Sequence, residues 1–255
     1  MNLTNKRILI TRPRAQAGEF ANALIAAGAQ PIFFPVIQIV PINDFSDLDS
    51  ALLKIYTYDW LILTSVHGVD TFFKRFDMLG LKHVPEGLRV AAIGPKTASC
   101  LSQHGVIAHF VPTEYTAEAI LPGLGKDMWG KRFLLPQSDL ARTTLASEIR
   151  SAGGVVDEVV AYRTVPSQPG ISEMNALRAG VDIITFTSPS AVHNFVNIVR
   201  NNGLDPINLP GTPLFACIGP VTKRTAEEMS FCDLVVANEY TTAGLIEAIG
   251  KLVHS

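Results

Sequence analysis

The chain has 255 residues and a formal net charge of −2; 47% of its residues are hydrophobic and only 17% are charged. This length and apolar fraction suit one large domain or two small ones, and they argue against intrinsic disorder. Because 21 Lys and Arg residues face 23 Asp and Glu residues, no broad basic field is available, and we expect no general binding of nucleic acid.

The cysteines indicate a reducing compartment. Cys100, Cys217 and Cys232 are widely spaced without a C-x-x-C pair, and the six histidines are scattered. This pattern favours small buried thiols and surface imidazoles over a zinc site. We find no signal peptide, and no apolar stretch approaches the ~20 residues of a membrane span. The sequence therefore predicts a cytoplasmic protein.

Short aliphatic runs alternate with helical stretches along the chain, which predicts doubly wound parallel α/β sheets. Two predicted helices, Ala15–Ala27 and Leu140–Ala152, each end at a glycine that suits a helix C-terminus. The predicted strands are Arg7–Thr11, Gln30–Phe34, Asp59–Thr64, Arg89–Ile93, Ala108–Val111, Arg132–Pro136, Val155–Val159, Val181–Thr187, Pro213–Ile218 and Leu234–Ala237.

The chain contains an internal duplication. Lys6–Ile10 returns as Lys131–Leu135, at an offset of 125 residues (131 minus 6), and Ile93-Gly94-Pro95 returns as Ile218-Gly219-Pro220 at the same offset. Other recurring pairs are Val40-Pro41 with Val165-Pro166, Thr64-Ser65 with Thr187-Ser188, and Glu114-Tyr115-Thr116 with Glu239-Tyr240-Thr241. Two similar units, each the size of a small domain, explain this repetition.

Two extended segments that end in proline interrupt the alternation at equivalent places in the repeat, 35–41 and 160–166. We expect the chain to leave one domain at the first segment and to return at the second, with the two segments paired as a two-stranded linker. Domain one then comprises residues 1–34 and 167–255, and domain two comprises residues 42–159.

Loops at the carboxyl ends of parallel strands are where such sheets bind ligands, and the repeated motifs fall there. Gly94 and Gly219 each precede a proline that begins a helix, and free N–H groups at such a start bind carboxylate or phosphate. Thr97 and Thr222 follow within the first turn, and Ser65 and Ser188 end the equivalent strands. A well-capped helix start is the alternative for all of these residues.

Two further kinds of side chain stand near predicted strand ends. Arg12 follows the first strand and suits bidentate carboxylate binding, or lies solvated. Tyr115-Thr116 and Tyr240-Thr241-Thr242 precede helices, where they either contact a ligand or act as caps with a packed ring. The chain lacks G-x-G-x-x-G after its first strand, a Walker loop, H-E-x-x-H and G-x-S-x-G. We therefore expect chemistry without a metal or a nucleotide.

The sequence resembles the uroporphyrinogen-III synthase family from Ile8 to Leu245. The motifs that carry the resemblance are Ile8-Leu9-Ile10-Thr11-Arg12-Pro13, Thr64-Ser65, Ala92–Ala98, Asp157–Thr164, Phe186-Thr187-Ser188, Ile218–Thr222 and Tyr240–Leu245. The resemblance implies two flavodoxin-like domains joined by a two-stranded linker, with the active site in the cleft between them. It also implies cofactor-free cyclisation of hydroxymethylbilane, a linear tetrapyrrole, to uroporphyrinogen III with loss of water and inversion of ring D.

The resemblance further implies roles for individual residues. Tyr162 corresponds to the tyrosine favoured as proton donor in the family, although a hinge ring that only packs is the alternative. The substrate-binding candidates carried over are Arg12, Ser65, Gly94, Thr97, Ser138, Ser188, Gly219 and Thr222. Gln137-Ser138 stands where family members often carry Arg-Gly, which puts one carboxylate contact in doubt, and Glu228-Met229-Ser230 lacks the usual glycine.

Two rival classes remain open at this point. A cytoplasmic binding or sensor protein with two lobes fits the same architecture without catalysis, and a nucleotide-sugar transferase is disfavoured by the short chain and the missing nucleotide loop. For the enzyme, we expect a monomer that contacts no membrane and receives hydroxymethylbilane by transient hand-over from hydroxymethylbilane synthase.

Overall fold

The computed structural model describes residues 3–114, 118–125 and 127–252, and ten strands and nine α-helices lie in these ranges. The strands are β1 (Arg7–Ile10), β2 (Gln30–Phe33), β3 (Ile37–Pro41), β4 (Trp60–Leu63), β5 (Arg89–Ala92), β6 (Arg132–Ser138), β7 (Val155–Pro166), β8 (Ile183–Phe186), β9 (Leu214–Cys217) and β10 (Leu234–Val236). The helices are α1 (Arg14–Ala26), α2 (Ser46–Leu53), α3 (Val66–Met78), α4 (Pro95–Gln103), α5 (Thr144–Ser151), α6 (Ile171–Arg178), α7 (Pro189–Asn201), α8 (Pro220–Glu228) and α9 (Thr242–Leu252). Short 3-10 turns cover Ile55–Thr57 and Glu118–Leu124.

The chain divides into two compact units. The first unit combines Met1–Gln38 with Val165–Ser255, and the second unit is Ile39–Thr164. The first sheet has the strand order β10-β9-β8-β1-β2 and the second has the order β3-β7-β6-β4-β5. The mixed α/β class with two parallel sheets is confirmed, and β3 lies beside β7, as expected for the two extended segments.

The duplication is visible in the strand order of the two sheets. Numbered within its own unit, the first sheet runs 5-4-3-1-2, the flavodoxin-like order. In the second sheet β6 and β7 occupy the positions that β1 and β2 have in the first sheet, and β4 and β5 occupy those of β8 and β9. The first pair precedes the second pair along the chain in the first unit but follows it in the second unit, so the chain order is permuted. A hydrogen bond at the start of an equivalent strand is duplicated as well. Asp182 accepts the backbone N–H of Arg7 at the start of β1 at 2.8 Å, and Asp59 accepts that of Arg132 at the start of β6 at 2.8 Å.

Both faces of each sheet are buried, which explains why the strands lack polar alternation. In β1, Leu9 packs into the apolar cluster on one face, whereas Ile8 and Ile10 pack into the cluster on the other face. In β4, Leu61 and Leu63 share one cluster and Trp60 and Ile62 share the opposite one. Each unit therefore has its own core on both sides of its sheet.

The predicted strand Ala108–Val111 is wrong, because the structure has only an isolated bridge between Ala91 and Phe110 there. The ring Nδ1 of His109 accepts the backbone N–H of Val90 at 3.1 Å, so a side chain replaces part of the backbone ladder. This segment is the second-unit counterpart of β10. Tyr115 and Thr116, singled out next to it in the sequence, lie outside the described residues.

Two other elements differ in extent from their predictions. The helix predicted from Leu140 begins at Thr144, because the N–H groups of Leu140 and Ala141 instead bond to Ser138 in a turn. The linker segment 160–166 continues the preceding strand, and together they form the single strand β7. Within the described ranges no helix combines the length and the apolar character needed to cross a membrane.

Candidate active site

The best-defined polar arrangement at a strand end is the start of α3 in the second unit. Ser65 follows β4 with an extended backbone, and its Oγ accepts the N–H of Gly68 at 2.9 Å. This bond caps the helix, because it satisfies one of the N–H groups that a first turn leaves unpaired. The capping alternative for Ser65 is therefore realised, but the hydroxyl has a second partner.

That second partner is the hydroxyl of Tyr162, which lies 2.9 Å from Ser65 Oγ. Tyr162 sits on β7 and only 8% of its surface is exposed. Burial raises the pKa of the phenol above its usual value; the hydrogen bond with Ser65 opposes this shift, and the charge of Asp139 adds to it. The phenol is therefore fully protonated at neutral pH, which suits a proton donor and excludes a role as a ready base.

Asp139 is a fixed negative charge near this tyrosine. It accepts the backbone N–H of Thr164 at 3.0 Å and pairs with Arg163 Nε at 3.3 Å. Burial raises the pKa of Asp139, but these hydrogen bonds together with the one from Ser138 outweigh burial and leave the pKa below its ordinary value. The carboxylate stays charged at neutral pH and helps to keep the proton on Tyr162.

Ser138 is held in the same local network at the end of β6. Its hydroxyl donates to Asp139 at 3.1 Å, lies 3.1 Å from Thr164 Oγ1 and accepts the N–H of Leu140 at 3.2 Å. The register of the β6–β7 ladder shifts here, so that Ser138 pairs with Tyr162. Ser138 is thus brought close to the tyrosine by the backbone, with its hydroxyl engaged in a turn.

Tyr162 opens onto a groove of about 320 Å³ within the second unit. Its lining residues are Ile39, Val40, Pro41, Phe45, His67, Asp70, Thr71, Lys74, Arg75, Met78 and Tyr162. The His67 ring lies 6.0 Å from the Tyr162 ring, and Arg75 is tied to Asp49 through Nε at 2.8 Å. Lys74 has no hydrogen-bond or ion-pair partner among the described residues, so its charge is available to an anionic ligand.

Sequence reasoning treated His67 as one of the scattered imidazoles and did not identify Lys74. The signal that would have found them is helical spacing: His67, Thr71, Lys74 and Met78 recur every three to four residues along α3 and therefore share one face. That face begins directly after Ser65, the residue that the sequence predicts at the end of a strand.

The other helix starts in both units are built alike. Gly94 precedes α4 and Gly219 precedes α8, both with extended backbones and with proline at the first helical position. Thr97 and Thr222 are buried, at 4% and 3% exposure. The threonine side chains at these two helix starts are therefore largely shielded from solvent.

In the first unit two further candidates stand at strand ends. Arg12 follows β1 and is half-buried; burial lowers the pKa of its guanidinium, and the charge of Glu19 partly offsets this. Among the described residues the Arg12 guanidinium has no hydrogen-bond or ion-pair partner. Ser188 caps α7 by accepting the N–H of Ala191 at 3.2 Å, and its hydroxyl lies 3.0 Å from that of Ser190.

Known proteins resemble this chain over nearly its whole length. Residues 18–247 match the family model described as uroporphyrinogen-III synthase HemD. A uroporphyrinogen-III synthase of Synechococcus elongatus is 35% identical, with 97% of this chain and 95% of that protein covered. A putative uroporphyrinogen-III synthase of Methanothermobacter thermautotrophicus is 31% identical, with 94% and 96% covered.

The fold is shared with a solved structure as well. A uroporphyrinogen III synthase mutant from Thermus thermophilus superposes with a TM-score of 0.64 at 19% identity, covering 98% of this chain and 99% of that one. At this identity the structural comparison shows a shared fold only. Membership of the family rests on the family model and on the relatives. The resemblance noted in the sequence is confirmed, and the chain belongs to the uroporphyrinogen-III synthase family.

Proposed function

We propose that the chain cyclises hydroxymethylbilane to uroporphyrinogen III, with loss of water and inversion of ring D, and that Tyr162 donates the proton to the departing hydroxyl. Family membership makes the chain a cyclising enzyme of the lyase class in porphyrin biosynthesis. The observation that carries the residue assignment is the pair of hydroxyls of Ser65 and Tyr162, which lie 2.9 Å apart; Tyr162 also lines the groove.

The first chemical step needs a weak acid rather than a strong one. The lone pair of the terminal pyrrole nitrogen expels the hydroxyl and leaves an azafulvene, so the leaving oxygen needs only one proton to depart as water. Tyr162 is protonated at neutral pH and is one of the residues that line the groove. General acid assistance of this kind contributes about 10²- to 10⁴-fold.

Ser65 prepares the tyrosine for this transfer. In the proposed arrangement Ser65 Oγ accepts the Gly68 N–H and donates its own proton to the Tyr162 oxygen, which lies 2.9 Å away. In that arrangement the tyrosine proton faces the substrate, and the phenolate left after transfer accepts a hydrogen bond from Ser65. The hydrogen bond with Ser65 lowers the pKa of Tyr162, as this role requires.

The remaining steps need positioning more than acid–base chemistry. Attack of the substituted ring D carbon on the azafulvene gives a spiro-pyrrolenine, which fragments and recloses with ring D inverted. The proton released when the last ring regains aromaticity returns to the phenolate, so the enzyme ends the cycle unchanged. Hydroxymethylbilane also closes unaided without inversion, so the protein must hold the chain ends and exclude water.

Every pyrrole of the substrate carries two carboxylates, and the cationic side chains and helix starts described above suit them. Lys74 borders the groove beside Tyr162, Arg12 follows β1, and helices begin directly after Gly94 and Gly219, where a helix N-terminus favours an anion. We propose Arg12 and Lys74 as carboxylate partners and retain Thr97, Ser138, Ser188 and Thr222 as neighbours of the bound substrate. The cofactor-free reaction, the monomeric state, the cytoplasmic location, the domain boundaries and hand-over from hydroxymethylbilane synthase stay predictions.

The test is the isomer of the product. The purified chain is supplied with hydroxymethylbilane generated in situ, and the oxidised porphyrins are separated into type I and type III isomers. We expect type III to dominate. Type I alone, formed at the uncatalysed rate by a folded chain, would overturn the proposal and favour the binding-protein alternative.

Lys74→Met tests the proposed carboxylate contact, because it keeps the length and apolar contacts of the side chain and removes its charge. We expect KM for hydroxymethylbilane to rise by about tenfold, the size of one exposed charge-assisted contact. The same substitution at Lys82, which is exposed and does not line the groove, is the matched control and should leave KM unchanged. An unchanged KM in the Lys74 variant would remove this residue from the binding site.

A further inference from the structure

Three side chains of metal-binding type meet between α3 and α4. One ligand atom each from Asp70, Cys100 and His104 lies within 4.8 Å of the other two. Asp70 is on α3, Cys100 is on α4, and His104 directly follows α4. Nothing in the proposed reaction uses Cys100 or His104, so the cluster needs an explanation of its own.

The distance between two of the ligand atoms in this cluster is close to that in a tetrahedral zinc site. Cys100 Sγ lies 3.3 Å from Asp70 Oδ1. With zinc–sulfur and zinc–oxygen bonds of about 2.3 Å and 2.0 Å, a tetrahedral ion separates those two ligand atoms by about 3.5 Å. The pair can therefore bind one ion with hardly any movement of the helices.

The histidine is held in place before any ion binds. Its ring stacks on Phe73 at a centroid distance of 4.3 Å and an angle of 5°. Phe73 is buried, and it follows Asp70 by three residues on α3, so the residue that orients the ring belongs to the helix that supplies the carboxylate. Cys100 and His104 are four residues apart, the spacing that places two side chains on one side of a helix.

We propose that Asp70, Cys100 and His104 form a binding site for one zinc ion, completed by water, that joins α3 to α4. The donor set selects the ion: thiolate and imidazole suit zinc, whereas magnesium and calcium prefer oxygen ligands alone. Three protein ligands leave a tetrahedral ion one position for water. Each ion that binds displaces the thiol proton to solvent, so mass and charge balance without an oxidant or a reductant.

Residue spacing along the chain does not predict this site, because its ligands become neighbours only when two helices pack together. Zinc motifs are recognised from closely spaced ligand pairs, and Asp70 lies thirty positions before Cys100. Packing of α3 against α4 brings the carboxylate to the thiol. Asp70 also lines the groove beside Tyr162, so an ion on this carboxylate would border the site of the proposed reaction.

Direct binding of zinc to the full chain tests the proposal, with calorimetry under reducing conditions and no tetrapyrrole present. We expect about one ion per chain. Asp70→Asn and His104→Gln change exposed residues and should keep the fold, and each should weaken binding by at least the 10- to 100-fold that follows loss of even an indirect partner of a metal. Cys232→Ser, which changes an exposed cysteine in the first unit, should bind zinc like the original chain.

Cobalt gives a readout that a nonspecific surface site cannot produce. Co²⁺ bound to thiolate shows a sulfur-to-metal charge-transfer band, which we expect in the original chain and in Cys232→Ser but not in Cys100→Ser. No uptake of zinc at micromolar concentrations would overturn the proposal. So would uptake that survives both His104→Gln and Cys100→Ser, or a charge-transfer band that disappears with Cys232.

Discussion

Replacing Tyr162 with phenylalanine removes one oxygen atom and leaves the buried ring in place. The substitution should cost about 1 kcal/mol of folding stability or less, because it deletes one hydrogen bond and Ser65 Oγ keeps the Gly68 N–H as its partner. If Tyr162 is the proton donor, the rate falls by much more. Since a phenol whose pKa is raised is a weak acid, we expect the lower end of general acid effects: about 100-fold in kcat, or 2.7 kcal/mol at 1.36 kcal/mol per tenfold.

The assay separates binding from chemistry. Initial rates of type III product are measured over a range of hydroxymethylbilane concentrations, and the uncatalysed type I product is subtracted. We expect kcat to fall about 100-fold while KM changes by less than about threefold, because the hydroxyl acts on the departing oxygen and not on the carboxylates. Unfolding in urea, followed by circular dichroism, gives the stability change for the same variant.

Tyr58→Phe is the matched control within the same unit. Tyr58 is 5% exposed and its hydroxyl donates to Asp157, so this variant also loses a hydrogen bond from a buried ring. Its kcat should equal that of the original chain. Equal losses of kcat in the two variants, or an unchanged kcat in Tyr162→Phe, would refute the assignment of Tyr162 as the acid.

Ser65→Ala closes a double-mutant cycle on the same pair. Loss of the cap should cost about 1 kcal/mol of stability whether or not Tyr162 is present. Its effect on kcat should be present in the original chain and absent in the Tyr162→Phe background, because Ser65 acts through the phenol. Independent, additive effects on kcat would show that Ser65 does not work through Tyr162.

Three further results are expected. The kcat of the original chain should fall only as pH rises past the ordinary tyrosine value of about 10, since burial raises the pKa of Tyr162, and pH–rate profiles of Tyr162→Phe should lack this alkaline limb. Gly68→Ala should lower kcat, because the added Cβ would stand 3.2 Å from Ser65 Oγ. Gly18→Ala is the control, because its added Cβ would have no atom within 4 Å. It should leave kcat unchanged and stabilise the protein by about 0.5 to 1 kcal/mol in urea unfolding. Burial raises the pKa of Asp182, but the hydrogen bonds from the Arg7 N–H and Lys6 outweigh burial and leave the pKa below its ordinary value. The carboxylate therefore stabilises the fold at neutral pH, and this stabilisation is lost as pH falls below about 4. The acid part of the stability–pH curve should flatten in Asp182→Asn.

The sheets were predictable because their physical basis is local. β4 and β8 are runs of four residues that are all buried. A short apolar run without polar alternation predicts a strand that is covered on both faces. The strand predicted at Ala108–Val111 failed because His109 supplies a side-chain acceptor that no apolar pattern reveals. The late start of α5 likewise depends on bonds from one turn to Ser138.

The candidate site was predictable only in part. The helix start at Ser65 follows from the pattern of a strand, a polar residue and a helix, but its partner Tyr162 is 97 residues away and was named from the family resemblance. Spacing along α3 would have added His67 and Lys74 once the groove was known. The cluster of Asp70, Cys100 and His104 depends on two helices packing together, which residue spacing along the chain does not show.

The permuted order of the two sheets has a consequence for synthesis of the chain. The second unit is one continuous segment, complete once Thr164 has been made, whereas β1 and β2 of the first unit must wait for β8, which follows more than a hundred residues later. Because segments fold as they emerge from the ribosome, the unit that carries Ser65 and Tyr162 is the first able to fold. Leu9 of β1 packs with Leu177 of α6 and Val192 of α7, so it gains these contacts only after the second unit has been made.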